Sequence, residues 1–218
     1  PEGFFDFQSH RPRVSITDGE IDGAITLPGV ELYSATPDDG RSVVIVSGSE
    51  PSMRWPTLCR AILDVAREFG VRDVVTLGAL IADVPHTRPV RLSHMSTPRE
   101  LTDSLGPRRP DYIGATGIVT MLHAMATEQD MRAASIWAAV PHYVGAAPAP
   151  NASLALLQAV STVCGLAIDL SDLTTAVGEF ESEVNEAVRT NPQAANLVAD
   201  LEQSYDGDID AASDDVPS

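Results

Sequence analysis

Apolar positions along the chain switch between the period of a helix and the unbroken runs of buried strands, and these switches divide it into elements. Trp55, Leu58, Cys59, Ile62, Val65, Ala66 and Phe69 follow the 3,4 spacing of an amphipathic helix, which Gly70 ends. The run Asp73–Ala82 (DVVTLGALIA) is too uniformly apolar for a half-exposed strand and predicts a central strand of a parallel sheet. Val43-Val44-Ile45-Val46, inside Arg41–Ser47, predicts a buried strand before the helix, so the three form a βαβ unit with a right-handed crossover. Ala134–Val140 (ASIWAAV), stopped by Pro141, predicts a further buried strand. Ile21–Thr26 and Val30–Ala35 are short strand candidates separated by Pro28-Gly29, and Pro37-Asp38-Asp39-Gly40 makes a hairpin with the following strand. Before them, a stretch to about Ser15 carries Phe4, Phe5 and Phe7 among polar residues and reads as an arm that docks on something apolar.

The later half is helical in pattern. Thr97-Pro98-Arg99-Glu100 has capping-box spacing and starts a short helix that Gly106 ends; the loop with Arg108, Arg109 and Pro110 follows. Thr116-Gly117 precedes a helix over Ile118–Thr127. Asn151 caps a helix to about Cys164, Ser171 or Asp172 caps another to about Arg189, and a last one spans Pro192 to Tyr205. The expected fold class is α/β, a mostly parallel sheet flanked by helices with short strands ahead and helices behind. Residues 1–205 form one domain, and Asp206–Ser218 an acidic disordered tail.

Composition narrows the chemistry. With 218 residues, 44% hydrophobic and 21% charged, and a mean hydropathy of +0.00, the chain falls among ordinary globular proteins, and no apolar run reaches the ~18 residues of a spanning helix. Its 14 basic residues against 31 acidic ones give −17, and all 14 are arginine. The absence of lysine excludes a Walker-A loop, a Schiff base and a pyridoxal centre. Beyond Arg132 thirteen acids face the single Arg189, so repulsion from phosphates argues against a nucleic-acid partner. Cys59 and Cys164 lie in apolar helical stretches and read as core residues. The five histidines lack metal spacing, and no cofactor is expected. Without a leader, a disulfide pattern or an anchor, the expected location is cytoplasmic.

The strand ends deliver polar residues to one rim, where ligands bind in open parallel sheets. They are Gly48-Ser49-Glu50 and Arg54, then Asp83 through His86, Thr87 and Arg88, then His142 and Tyr143. Thr116-Gly117 adds a helix N-terminus suited to an anion. Together these predict a pocket for a small acidic or phosphorylated molecule, in which Asp83 orients His86 as general acid or base and Arg88 holds phosphate. The same residues also fit a purely structural role, Asp83 serving the turn at Pro85 and His86 a buried carbonyl, or a protein contact. Trp137 and Tyr143 read as packing residues, and His123 as a histidine on a helix face.

Three segments in order, Val74–Val90 (VVTLGALIADVPHTRPV), Gly114–His123 (GATGIVTMLH) and Ser135–Val144 (SIWAAVPHYV), followed by Pro150-Asn151-Ala152 and a leucine-rich helix, resemble the actinobacterial branch of the proteasome assembly chaperone family, second type. The resemblance spans about Phe5 to Tyr205. It implies an α/β sandwich of nucleoside phosphorylase-like topology and a non-enzymatic, homo-oligomeric scaffold, a trimer in preference to a dimer, with proteasome α subunits as partners and the Phe4–Phe7 arm contributing to subunit contacts. Two departures stand out. The archaeal gate-opening ending of a hydrophobic residue, Tyr and any residue is replaced by Asp215-Val216-Pro217-Ser218, and the family's opening strand–helix unit with its Gly-rich turn does not precede Pro1. Ligase chemistry of the ATP-grasp type, a name some members carry, conflicts with the missing lysine. A nucleoside- or phosphate-ester-processing enzyme, or a metabolite sensor, built on Asp83, His86 and Arg88 stays open as the alternative.

Overall fold

The computed structural model describes residues 2–36, 42–106, 111–145 and 148–214, with side chains to 208. Its strands are β1 (Arg13–Thr17), β2 (Glu20–Thr26), β3 (Val30–Ala35), β4 (Val43–Gly48), β5 (Asp73–Ala82), β6 (Leu92–Thr97) and β7 (Arg132–Pro141). The helices are α1 (Trp55–Glu68), α2 (Ile118–Glu128), α3 (Pro150–Cys164), α4 (Ser171–Arg189) and α5 (Pro192–Asp214), with short 3-10 turns at Arg99–Leu105 and His142–Val144. The fold is α/β, and the chain divides into two compact units, Pro1–Thr76 with Tyr112–Ala134, and Leu77–Asp111 with Ser135–Ser218.

In the first unit β1 and β2 pair antiparallel around Asp18-Gly19, two consecutive residues with φ of 53° and 85°. Asp-Gly is the pair that a two-residue hairpin turn demands, and it makes β1 a strand where the sequence pattern suggests an arm. The arm itself is shorter and docks on its own chain. Phe5 is buried, its ring lies edge-on to His10 at 5.7 Å, and the Ser52 and Met53 N–H groups donate to the Phe4 carbonyl. Phe5 is thereby spent within the chain, while Phe4 and Phe7 stay half-buried.

β3 and β4 form the expected hairpin, in unbroken register from Val30↔Gly48 to Ala35↔Val43; its turn lies outside the described residues. This corrects the βαβ expectation, because β4 pairs with β3 in a sheet of two and not with β5. The β-branched run that signalled a buried strand leaves Ile45 and Val46 exposed. Gly48 closes the hairpin because a Cβ there would lie 2.2 Å from the Gly29 carbonyl oxygen.

α1 forms as its spacing dictates, with Pro56 in the first turn, where its missing N–H is harmless, and Gly70 at φ 68° behind it. Leu63 of α1, Ala126 of α2 and Ala133 of β7 are fully buried together, with Val74, Leu122, Met125 and Met131 packed against them. Arg132 pairs with Asp73 at 2.7 Å, and Thr76 Oγ1 donates to the Ala134 carbonyl. His123 is buried here and not on an open face; burial pushes its imidazole below its ordinary value, against the opposing effect of a hydrogen bond to the Ala134 backbone.

A small mixed sheet has the order β5-β7-β6. The Ala134–Val140 strand is its centre, with Ser135, Ile136 and Ala138 sealed from solvent. β5 is at the edge and not central, with Leu80 54% and Ile81 77% exposed. An apolar run reads alike in a covered strand and in an edge strand with bare side chains, which is why the pattern misplaced it. Gly78 of β5 lies under the Trp137 ring, whose atoms would sit 2.3 Å from a Cβ.

In the second unit the 3-10 turn is fastened by His94, whose Nδ1 meets Thr102 Oγ1 and whose Nε2–H donates to the Gly106 carbonyl, each at 2.9 Å. The helix starts differ slightly from expectation. Asn151 lies inside the first turn of α3, accepting from Ala152 N–H, while Asp169 rather than Ser171 or Asp172 serves the start of α4. Cys59 is buried and Cys164 half-buried, and neither is in a disulfide. α5 continues past Tyr205 to Asp214, where the sequence suggested a disordered tail.

Two outcomes follow from this packing. Gly78→Ala forces the Trp137 ring aside and is expected to cost about 1–3 kcal/mol, a fall in Tm of roughly 2–12 °C for a chain of this size; in a Trp137→Leu background the same change costs distinctly less. Because His123 is held neutral while the unfolded chain takes up a proton near its ordinary value of about 6.5, its contribution is full above that pH and is lost as pH falls through the lowered native value. Melting curves between about pH 7.5 and about pH 5 should show the loss, and His123→Gln should flatten it.

Candidate functional site

The loop after β5 belongs to the second unit and is buried at its centre: Val84, Pro85 and His86 are all closed to solvent, His86 to 2% exposure. Asp83 does not orient His86. Its carboxylate is exposed and pairs instead with His142 Nδ1 at 3.2 Å. His86 is held from three directions. Its backbone N–H donates to Tyr143 Oη at 2.7 Å, its Nδ1 lies 2.7 Å from the same hydroxyl, and its Nε2 lies 3.1 Å from Asn185 Oδ1 on α4. One assignment satisfies every atom: Nε2–H donates to Asn185, and Tyr143 O–H donates to Nδ1 while accepting from the backbone. An imidazole so placed has no lone pair or proton left for a substrate. Burial pushes the Tyr143 phenol above its ordinary value; the His86 backbone bond opposes this and the Glu202 charge adds to it.

Arg88 is likewise engaged. Its Nε and Nη2 donate to the two carboxylate oxygens of Asp206 at 2.9 and 2.8 Å, and its Nη1 donates to Glu202 at 3.1 Å. Such a fork on a carboxylate is the strong geometry for guanidinium, and it raises the Arg88 pKa and holds the Asp206 carboxyl below its usual range. Thr87 Oγ1 also donates to Glu202. Beside them Arg91 pairs with Asp208 at 2.7 Å, donates to the Tyr205 carbonyl and lies 3.9 Å over the Tyr205 ring, whose hydroxyl donates to the Pro89 carbonyl at 2.8 Å. Asn185, Glu202, Tyr205, Asp206 and Asp208 were missed by the sequence reading. The signal was present in the excess of acids beyond Arg132, which need cations from earlier in the chain.

The remaining expected residues lie in the first unit. Glu50 Oε1 accepts the Ile118 N–H at 2.7 Å and would lie 3.0 Å from a Cβ on Gly117. The N-terminus of α2 predicted to receive an anion is thus filled by the chain's own carboxylate. Ser49 donates its N–H to the Gly29 carbonyl, Arg54 precedes α1 with φ 59°, and Thr116 is exposed.

A cavity of about 570 Å³ in the second unit is bounded by His86, Arg88, Leu105, Leu154, Gln158 and Glu181. Its imidazole and guanidinium are those already engaged, so it presents no converging acid, base and phosphate-holding set. Among the described residues no group of three or more His, Cys, Asp or Glu side chains could hold a metal ion, and no helix is long and apolar enough to cross a membrane.

The sequence profile of the PAC2 family matches residues 1–188. The chain belongs to the PAC2 family. This bears out the resemblance read from its three motifs. Among solved PAC2-like structures, the Mycobacterium tuberculosis proteasome-assembly chaperone homologue Rv2125 is 35% identical, with 91% of this chain and 84% of that one covered and a TM-score of 0.83. A PAC2 family protein from Streptomyces avermitilis is 37% identical over 90% and 83% of the two chains, with a TM-score of 0.78. The Mycobacterium tuberculosis protein of unknown function Rv2714 is 27% identical over 98% and 72%, with a TM-score of 0.90. No curated protein matches. α5 begins beyond the residues matched to the PAC2 family, yet it supplies the carboxylates that hold the loop after β5.

Arg88→Ala should therefore release the far end of α5. Hydrogen exchange around Tyr205–Asp208 is expected to speed up while α3 is unaffected. In the unaltered chain the same amides lose protection as pH falls through the lowered Asp206 value, below about pH 4, and high salt weakens the clamp at neutral pH.

Proposed function

We propose that this chain is a non-enzymatic, self-associating protein-binding factor that engages proteasome α subunits. The observation that carries this reading is that the principal groups the enzyme alternative would use are engaged within the chain. His86 is bound by Tyr143 and Asn185, Arg88 by Asp206 and Glu202, and the α2 N-terminus by Glu50. Asp83, His86, Thr87, Arg88, His142 and Tyr143 then act by fixing a loop, and Ser49, Glu50, Arg54, Thr116 and Gly117 by fixing the approaches to α1 and α2. Membership of the PAC2 family and 35% identity to a protein named as a proteasome-assembly chaperone homologue support the choice of partner. Apolar side chains left in solvent on β1, β2 and β5 supply surface for protein contacts.

The finer parts of this reading are a nucleoside phosphorylase-like topology, a ring of three as the basic assembly, an actinobacterial source and a cytoplasmic setting. Native mass spectrometry of the chain, alone and mixed with α subunits of the same organism, tests it. The expected result is a closed homo-oligomer that captures α subunits, with His86→Ala reducing Tm more than it reduces capture. A monomer that ignores α subunits, or turnover of a phosphate ester abolished by His86→Ala, would overturn it.

A further inference from the structure

The cleft of about 570 Å³ in the second unit is open to solvent and lies between the loop after β5, the 3-10 turn at Arg99–Leu105 and helices α3 and α4. That size falls within the roughly 300–1,000 Å³ of small-ligand sites. One face of α3 forms its floor, where Leu154, Ala155, Gln158, Ala159 and Thr162 follow one another at helical spacing. Leu92, Leu105 and Val177 bound the other sides. Mostly apolar walls with a few polar groups take the apolar body of a ligand and orient it by a polar end.

The polar groups fix the sign of that end. Arg88 reaches the cleft already held by two carboxylates, Asp206 and Glu202, so it brings no net positive charge. His86 has both ring nitrogens taken by Tyr143 and Asn185. Thr162 spends its hydroxyl proton on the Gln158 backbone carbonyl at 2.9 Å, and its oxygen keeps only acceptor capacity. Glu181 of α4 lines the same cleft with no cationic partner among the described residues; Arg189, further along α4, is held by Glu186 at 2.7 Å. The one uncompensated charge on the walls is therefore a carboxylate, in a chain of net charge −17 that draws cations toward it. A protonated amine, with three donors and no acceptor, complements these groups. The acidic or phosphorylated ligand expected from the sequence has the opposite sign.

We propose that this cleft binds an organic amine, its apolar body on α3 and its ammonium on Glu181. The inference goes beyond the protein-binding reading and does not depend on it.

Hexylamine, hexanol and hexanoate, equal in length and different in charge, are the probes that test it. Amide chemical-shift titrations of the whole chain should place hexylamine at the α3 and α4 residues of the cleft, with an affinity about fivefold above that of hexanol and with hexanoate weakest. Glu181→Gln keeps the shape of the side chain; it should leave Tm nearly unchanged and bring hexylamine down to the level of hexanol. Glu179→Gln removes an equal charge from an exposed position of the same helix outside the cleft and should leave the preference intact. Absence of hexylamine binding, equal affinity for the three probes, or a preference for hexanoate would overturn the proposal. So would a preference lost equally in Glu179→Gln and Glu181→Gln, which assigns the attraction to net charge alone. Displacement of hexylamine by proteasome α subunits would overturn the free amine as ligand and assign the cleft to a basic side chain of a protein partner.

Discussion

Burial of a loop that carries histidine and arginine is the constraint on which the second unit depends. The chain leaves β5 through Asp83-Val84-Pro85-His86 and runs on to Arg91, with His86 at 2% exposure. A buried polar group without a partner costs on the order of 1–3 kcal/mol, and a charged one more. The fold meets this by bringing helices from far along the sequence, Asn185 from α4 to the imidazole and Glu202, Tyr205 and Asp206 from α5 to the loop. The acidic C-terminal half and the arginines of the loop are two parts of one arrangement, which orders α5 beyond where composition alone would stop it.

The same satisfaction engages the side chains that the enzyme alternative would use. Catalytic groups at such a rim need an unengaged lone pair, a displaceable proton or an open cationic fork. Here Tyr143 and Asn185 take both ring nitrogens of His86, Asp206 takes two donors of Arg88, and Glu50 occupies the helix end where an anion would sit. The chain also leaves apolar side chains in solvent, among them Ile16 of β1, Ile21 of β2, and Leu80 and Ile81 on the edge of the small sheet.

Local rules carried the sequence reading as far as they apply. The 3,4 spacing of Leu58, Cys59, Ile62 and Val65 gave α1, the Ala134–Val140 run gave the central strand, and Pro37-Asp38-Asp39-Gly40 gave the β3–β4 hairpin. The Asp18-Gly19 turn was equally local and was passed over because β1 looked like part of the arm. Sheet order was not local. Val43–Val46 and Leu77–Ile81 have the composition of covered strands, yet one lies in a hairpin of two and the other at an edge, since apolar runs do not record whether their cover comes from the same chain. At the rim, the residue types were legible and their partners were not. Asp83 chose His142 over His86, and the groups that hold His86 and Arg88 come from up to 118 positions away.

The proposed function has as its central claim the binding of protein through apolar surface, not chemistry at the rim. Calorimetric titration of proteasome α subunits into the chain tests it most directly at a series of temperatures, because burial of apolar surface gives a negative heat-capacity change on binding. Saturable binding with a negative heat-capacity change, retained in Arg88→Ala, is the predicted result. Absence of binding heat at every temperature, or binding abolished by Arg88→Ala while the fold stays intact, would contradict it.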